Sequence, residues 1–155
     1  MTKIDFMKKA IFLSIQNIKD NGGTFGCVIV KDNKIIAEGV NRVTFNNDPT
    51  AHAEIVAIRN ACSKLNTFNL TGCELYSSCE PCPMCLSAIY WSHIDKVYYG
   101  NSREDAAKIH FDDKFIYDEL LLNMEERKIP ISQISREEAI KAFNLWENEE
   151  NKIKY

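Results

Sequence analysis

The stretch CELYSSCEPCPMCLSAIYWSHIDKVYY, residues 73–99, decides the fold. Its first four residues, Cys73-Glu-Leu-Tyr76, read as a short strand. Pro83 to Trp91 reads as a helix, with Pro83 at the first helical position, where a missing N–H does no harm. Lys96-Val-Tyr-Tyr99 is the next strand, ended by Gly100-Asn101. Strand, helix and strand in that order are the building unit of a layered α/β domain.

Upstream, Ile4, Met7, Ile11, Ile15 and Ile18 fall at helical spacing, and Asn21-Gly-Gly23 stops that helix. Cys27-Val-Ile-Val30 and Ile35-Ile-Ala37, joined by Lys31-Asp-Asn-Lys34, make a hairpin. Asn46 to Pro49 is a loop. Ala51 to about Cys62 is a helix that offers Ile55, Val56 and Ile58 to the core. Downstream, Phe115 to Met124 is expected to be helical, and Ile129-Pro-Ile131 to form an edge strand. Ser135-Arg-Glu-Glu138 has capping-box spacing, with Ile140, Phe143 and Trp146 continuing on one face of the helix it opens. The tail from Glu147 is polar. With no repeat or linker visible, residues 1–155 read as one α/β domain with helices on both faces of its sheet.

Composition narrows the function classes. A chain of 155 residues with 45% hydrophobic and 26% charged residues is long enough to enclose a core of its own. Its net charge of -3 provides no global attraction to phosphate backbones, which makes nucleic acid an unfavoured partner. No signal peptide and no run of about 18 apolar residues is seen, so no membrane partner and a cytoplasmic setting are expected. Six cysteines could suggest a disulfide scaffold, but three of them, Cys79, Cys82 and Cys85, crowd together. In a reducing compartment that crowding reads as metal binding.

The chemistry rests on two short motifs. His52-Ala-Glu54, near a helix start, can aim an imidazole and a carboxylate at one site. Cys82 and Cys85 lie three apart across the first turn of another helix and share a face, so both sulfurs can reach one ion. An imidazole and two thiolates leave the fourth tetrahedral position of a zinc ion open to water, the arrangement of a catalytic rather than a structural site. The helix N-terminus favours the thiolates, and zinc lowers the pKa of its water to about 7. Glu54 can then carry the proton without binding the metal. Taken singly, His52 would be a helix histidine and Glu54 a surface carboxylate. Cys82 and Cys85 as a lone pair would be redox-active or structural. Cys79 has the spacing to compete for the metal, but its expected place at a strand end makes it a buried thiol. Cys27, Cys62 and Cys73 read as packing residues.

H-x-E followed by P-C-x-x-C is the signature of zinc nucleobase deaminases. The sequence resembles the cytidine-deaminase-like superfamily and, within it, the small bacterial guanine deaminases. The resemblance runs through Gly23-Thr-Phe-Gly26, Ile36 to Asn41, Asn47 to Glu54, Ser78 to Cys85 and Ala88-Ile-Tyr-Trp91. It continues through Phe111-Asp-Asp-Lys-Phe-Ile-Tyr117, Ile129-Pro130, Phe143 with Trp146, and Tyr155. It implies a three-layer α/β/α sandwich with a central mixed sheet and one Zn2+ per chain, held by His52, Cys82 and Cys85. It also implies a small-molecule purine base as substrate, with water attacking C2 of guanine to give xanthine and ammonia. In that reading Glu54 shuttles protons, Asp113 assists at the exocyclic amine and Asn41 hydrogen-bonds the base. Phe25 packs on the purine, and Trp91 walls the pocket or joins the core. The family exchanges C-terminal segments between two subunits. This implies a homodimer in which about 135–155 is swapped and Tyr155 closes the partner's site. Thr24 and Cys27 depart from the family's proline and alanine at those positions.

Three rival readings share parts of this pattern. A tRNA adenosine deaminase performs the same chemistry on a flipped base but must grip an RNA backbone, and Glu147-Asn-Glu-Glu150 makes this tail acidic. A cytosine or nucleoside deaminase differs only in its pocket. A non-catalytic zinc domain has no use for Glu54.

Overall fold

The computed structural model describes residues 1–155. The chain divides into two compact units, Met1–Lys114 and Phe115–Tyr155. The first unit runs α1 (Lys3–Lys19), β1 (Gly26–Lys31), β2 (Lys34–Val40), α2 (Val43–Asn46), α3 (Ala53–Leu65), β3 (Cys73–Cys79), α4 (Pro83–Trp91), β4 (Lys96–Asn101) and α5 (Arg103–Lys108). Its sheet has the order β2-β1-β3-β4. β1 is antiparallel to both β2 and β3, while β3 and β4 are parallel, so the sheet is mixed as expected.

Side chains alternate across a strand with a period of two, and that alternation builds two core layers. Cys27 and Ile29 of β1, with Cys73 and Leu75 of β3, meet Ala53, Ala57 and Ala61 of α3 and Ile89 of α4. The opposite parity, Val28, Val30 and Tyr76, packs on Phe6 of α1. Tyr76 is tilted against Phe6, with ring centroids 5.3 Å apart, and stacks on Tyr98 at 4.7 Å. Helices thus cover both faces of the sheet, giving three layers. Burying one side chain the size of Leu75 contributes about 1.5–3 kcal/mol.

Two glycines set how closely those helices approach. A Cβ on Gly39 would lie 2.2 Å from the Ala53 carbonyl oxygen, and one on Gly26 would lie 2.4 Å from that of Ala10. The hairpin turn is as read: Asp32 and Asn33 have φ of 48° and 58°, the left-handed pair that a tight two-residue connection requires.

Several expectations need correction. The α1 helix forms as read, but of its apolar stripe only Met7 packs against the core. Ile4, Ile11, Ile15 and Ile18 are exposed, while Phe6, Ala10, Ser14 and Asn17 are buried. The close approach at Gly26 admits only small side chains in the middle of the contact, which selects the Ala10 and Ser14 face over the bulkier one. Asn46, read as loop, instead ends the short α2, and α5 was not foreseen.

The second unit carries the rest of α6 (Lys114–Leu121), a 3-10 turn at Met124–Glu126 and α7 (Arg136–Asn148). No strand forms at Ile129–Ile131, where Pro130 has no N–H to give a ladder and both isoleucines are exposed. Ser135 precedes α7 but does not cap it with its side chain. At φ 53° it offers its carbonyl to Glu138 and Ala139 instead. Side-chain capping boxes do form at Thr2 with Asp5 and at Ser102 with Asp105. No helix is long and apolar enough to cross a membrane.

Candidate active site

Two helix starts converge. His52 is the N-cap of α3 and Cys82 the N-cap of α4, both in extended backbone, and neither side chain caps its own helix. Each is therefore left available for other work. The loop before His52 is pinned where the Thr50 amide and hydroxyl donate to Asp48 at 2.8 and 2.7 Å, and Arg59 pairs with Asp48 at 3.5 Å. Pro83 opens α4, and Cys85, one turn in, is fully buried.

His52 Nδ1 lies 3.5 Å from each of the Cys82 and Cys85 sulfurs, and the three ligand atoms fall within 4.8 Å of one another. Zinc bonds of about 2.0–2.3 Å in tetrahedral geometry need donors about 3.5 Å apart, so the set fits a zinc ion. The donor chemistry agrees. Hydrogen bonding with Cys85, reinforced by His52, holds the Cys82 thiol down at about 4, and the Cys82 partner raises His52. Cys85 is pushed up by sharing a proton with Cys82 and by burial, so in the metal-free protein the sulfur pair keeps one proton that a cation would displace. Cys79 stands outside the cluster. It ends β3 with its sulfur 3.6 Å from the Ser102 carbonyl, and burial raises its thiol to about 11, as expected of an inert buried cysteine.

Glu54, in the first turn of α3, is only 5% exposed. Its Oε2 lies 3.4 Å from the Cys85 sulfur and its Oε1 accepts a 2.8 Å hydrogen bond from Ser77. Burial raises its carboxyl above the usual range, which suits a group that must both take and give a proton. Asp113 is partly buried, and its carboxyl is raised by that burial and then by the charge of Cys82.

Asn41 follows β2 and is nearly buried. Its Oδ1 accepts from the Val43 amide at 3.1 Å, its own amide donates to the Phe25 carbonyl at 3.2 Å, and its carbonyl accepts from Asn17 at 2.9 Å. Phe25 sits at φ 86°, an uncommon conformation for a bulky residue. Its amide donates to Ser14 Oγ at 2.9 Å and its ring meets Phe111 edge-on at 5.0 Å. Thr24 joins the same hydroxyl at 2.9 Å. Trp91 ends α4 at 65% exposure, so of its two expected roles the core one is excluded. Tyr155 ends the second unit at 74% exposure. Ser77 was not singled out from the sequence. The signal for it was the strand parity that pairs it with Cys27 across β1 and β3, on the face that Glu54 approaches.

Residues 1–101 match the cytidine and deoxycytidylate deaminase zinc-binding region. The chain belongs to that family of zinc deaminases. Within it the sequence is 51% identical over 151 residues to guanine deaminase of Bacillus subtilis (strain 168), covering 97% of each chain. The X-ray structure of guanine deaminase from Bacillus subtilis superposes with a TM-score of 0.98, covering 100% of this chain and 99% of that one at 50% identity. The tRNA-specific adenosine deaminase of Aquifex aeolicus is 43% identical over 100 residues, covering 64% of this chain and 66% of its own.

Proposed function

We propose that the chain catalyses the hydrolytic deamination of guanine to xanthine and ammonia. The observation that carries the chemistry is the Glu54 carboxylate facing the three-donor cluster of His52, Cys82 and Cys85. The choice of guanine is supported by 51% identity along 97% of both chains to a guanine deaminase, whereas tRNA-specific adenosine deaminases that match 83–84% of this chain are 36–39% identical. The net charge of -3 points the same way.

His52, Cys82 and Cys85 would hold a zinc ion, which when bound would lower the pKa of a water molecule towards neutrality. The chain's own residues do the rest. Glu54 takes a proton from the attacking water and passes it to the purine ring nitrogen. Asp113 helps move the second proton, the one left on the added hydroxyl, to the exocyclic nitrogen, so that the C2–N bond breaks, the C2 oxygen becomes a carbonyl and ammonia departs. Asn41, whose backbone N–H is engaged by Phe25 and whose Oδ1 is engaged by Val43, offers its side-chain Nδ2–H to the base. Phe25 packs on the purine face, and Trp91 forms part of the pocket wall.

In this reading residues 1–155 act as one deaminase domain in a cytoplasmic homodimer. Residues from about 135 to 155 are exchanged between subunits, and Tyr155 closes the partner's site. Exposed apolar side chains along the second unit, Phe143, Leu145 and Trp146 among them, are consistent with a surface covered in such an assembly. Ammonia release measured on guanine, cytosine, adenine and a tRNA anticodon stem tests the proposal. Guanine is expected to be turned over fastest, and activity confined to the RNA would overturn the assignment.

A further inference from the structure

Glu54 is buried in the first turn of α3, and its two oxygens have different surroundings. Oε1 accepts from the hydroxyl of Ser77 at 2.8 Å, and Oε2 lies 3.4 Å from the Cys85 sulfur, on the side of the metal donors. Ser77 itself is fully buried in the central strand β3. Its hydroxyl oxygen is approached by the Cys79 amide at 3.5 Å, which leaves the O–H to point at Glu54 rather than back along the strand. Across the β1–β3 ladder Ser77 is paired with Cys27, another fully buried side chain, so Ser77 is the side-chain oxygen donor that this packed floor offers the carboxylate, beside the backbone N–H of Glu54 itself.

We infer that Ser77 is a positioning residue: by tying down Oε1 it fixes the rotation of the Glu54 carboxylate and makes Oε2 the oxygen that carries the proton. This rests on the proton-shuttle role proposed above for Glu54. A donor on a rigid strand holds the carboxylate in one orientation, and a shuttle must stay within hydrogen-bond reach of both water and base. Once Oε2 takes up a proton, the Ser77 bond stays on Oε1 and the carboxyl cannot exchange its two oxygens by turning over. Proton pick-up and delivery then occur at the same atom.

The test uses the zinc-loaded enzyme with guanine and compares Ser77→Ala, Ser77→Thr, Ser77→Cys and Glu54→Ala. Loss of a hydrogen bond to a charged acceptor is expected to lower kcat about 10- to 100-fold in Ser77→Ala. KM should move by no more than about threefold, because the bond acts on the reacting group rather than on substrate binding. Ser77→Thr keeps the hydroxyl and should recover most of kcat. Ser77→Cys keeps a small side chain in place with only a weak donor, and should lose kcat without loss of Tm. Zinc content should be unchanged in all four. In infrared difference spectra with isotope-labelled glutamate, the Glu54 carboxyl band should shift in Ser77→Ala and return in Ser77→Thr. Adding Ser77→Ala to Glu54→Ala should cost no further rate. Full turnover in Ser77→Ala, a loss seen only in Tm or KM, or no recovery in a stably folded Ser77→Thr would overturn the positioning role alone. Full turnover in Glu54→Ala would overturn the shuttle as well, which separates the two failures.

Discussion

Residues 1–114 and 115–155 use apolar side chains in opposite ways. In the first unit, strand parity sends Ile29 and Leu75 to one helix layer and Val28 and Tyr76 to the other, and nearly every one of these side chains is sealed from water. In the second, α6 and α7 are amphipathic, yet no residue from 115 to 155 is buried. Periodicity therefore identifies a helix in both regions but identifies its packing partner in only one. A helix with an apolar face normally owes most of its stability to what covers that face. The first unit supplies that cover itself. The second presents Phe143, Leu145 and Trp146 outward, as a segment made to be covered by another surface would.

The largest contrast expected between the regions is chemical. Glu54→Ala should lower turnover of guanine by about 10²–10⁴-fold, the usual contribution of a positioned acid–base group. Zinc content by elemental analysis should stay at the wild-type value, since Glu54 stands outside the donor cluster. Turnover equal to wild type would remove Glu54 from the chemistry. Next comes packing. Leu75→Ala should cost about 2–5 kcal/mol in denaturant unfolding, because Leu75 is fully buried in a close-packed layer. A cost near zero would mean that the layer is not the stabilising core described.

Deleting residues 151–155 sharpens the comparison from the other side. It should lower kcat/KM for guanine about 10- to 100-fold, the scale on which lost closure and misplacement act, and leave zinc content intact. Equal activity after truncation would take Tyr155 out of the site. The smallest effect is the most diagnostic. Leu145 is 75% exposed, so Leu145→Ala should change the stability of a monomer by less than about 0.5 kcal/mol. A second copy lying over that face makes the loss larger and dependent on protein concentration, as seen in unfolding curves at two dilutions. An equal small effect at every concentration would contradict the exchange of this segment.

The legible parts of the sequence were those where one local rule has no competitor. Asp32-Asn33 between two apolar runs could only be a tight turn, and Pro83 just inside a helix marks where the helix begins. His52, Glu54, Cys82 and Cys85 were legible because residue types that are rare together recur at spacings that suit one metal. What failed depended on three-dimensional fit. The stripe of Ile4, Ile11, Ile15 and Ile18 on α1 is a better hydrophobic pattern than Phe6, Ala10, Ser14 and Asn17, but Gly26 draws the helix backbone so close at Ala10 and Ser14 that only small side chains fit there. The capping-box spacing at Ser135 was overridden by a left-handed backbone at that residue. Ser77 looks like any strand serine until the pairing of β1 with β3 sets it beneath Glu54.

The chemistry depends on one zinc ion held by His52, Cys82 and Cys85. The most direct test is metal analysis of purified protein combined with chelation and alkylation by iodoacetamide at pH 7. One zinc per chain, loss of guanine deamination on chelation, and recovery when zinc is returned are expected. Chelation should also expose Cys82 to alkylation, since a thiol held at about 4 is ionised at pH 7, while Cys79, raised to about 11, stays protonated and slow to react. Fully active protein without stoichiometric metal, or alkylation of Cys82 unaffected by zinc, would contradict this dependence on zinc.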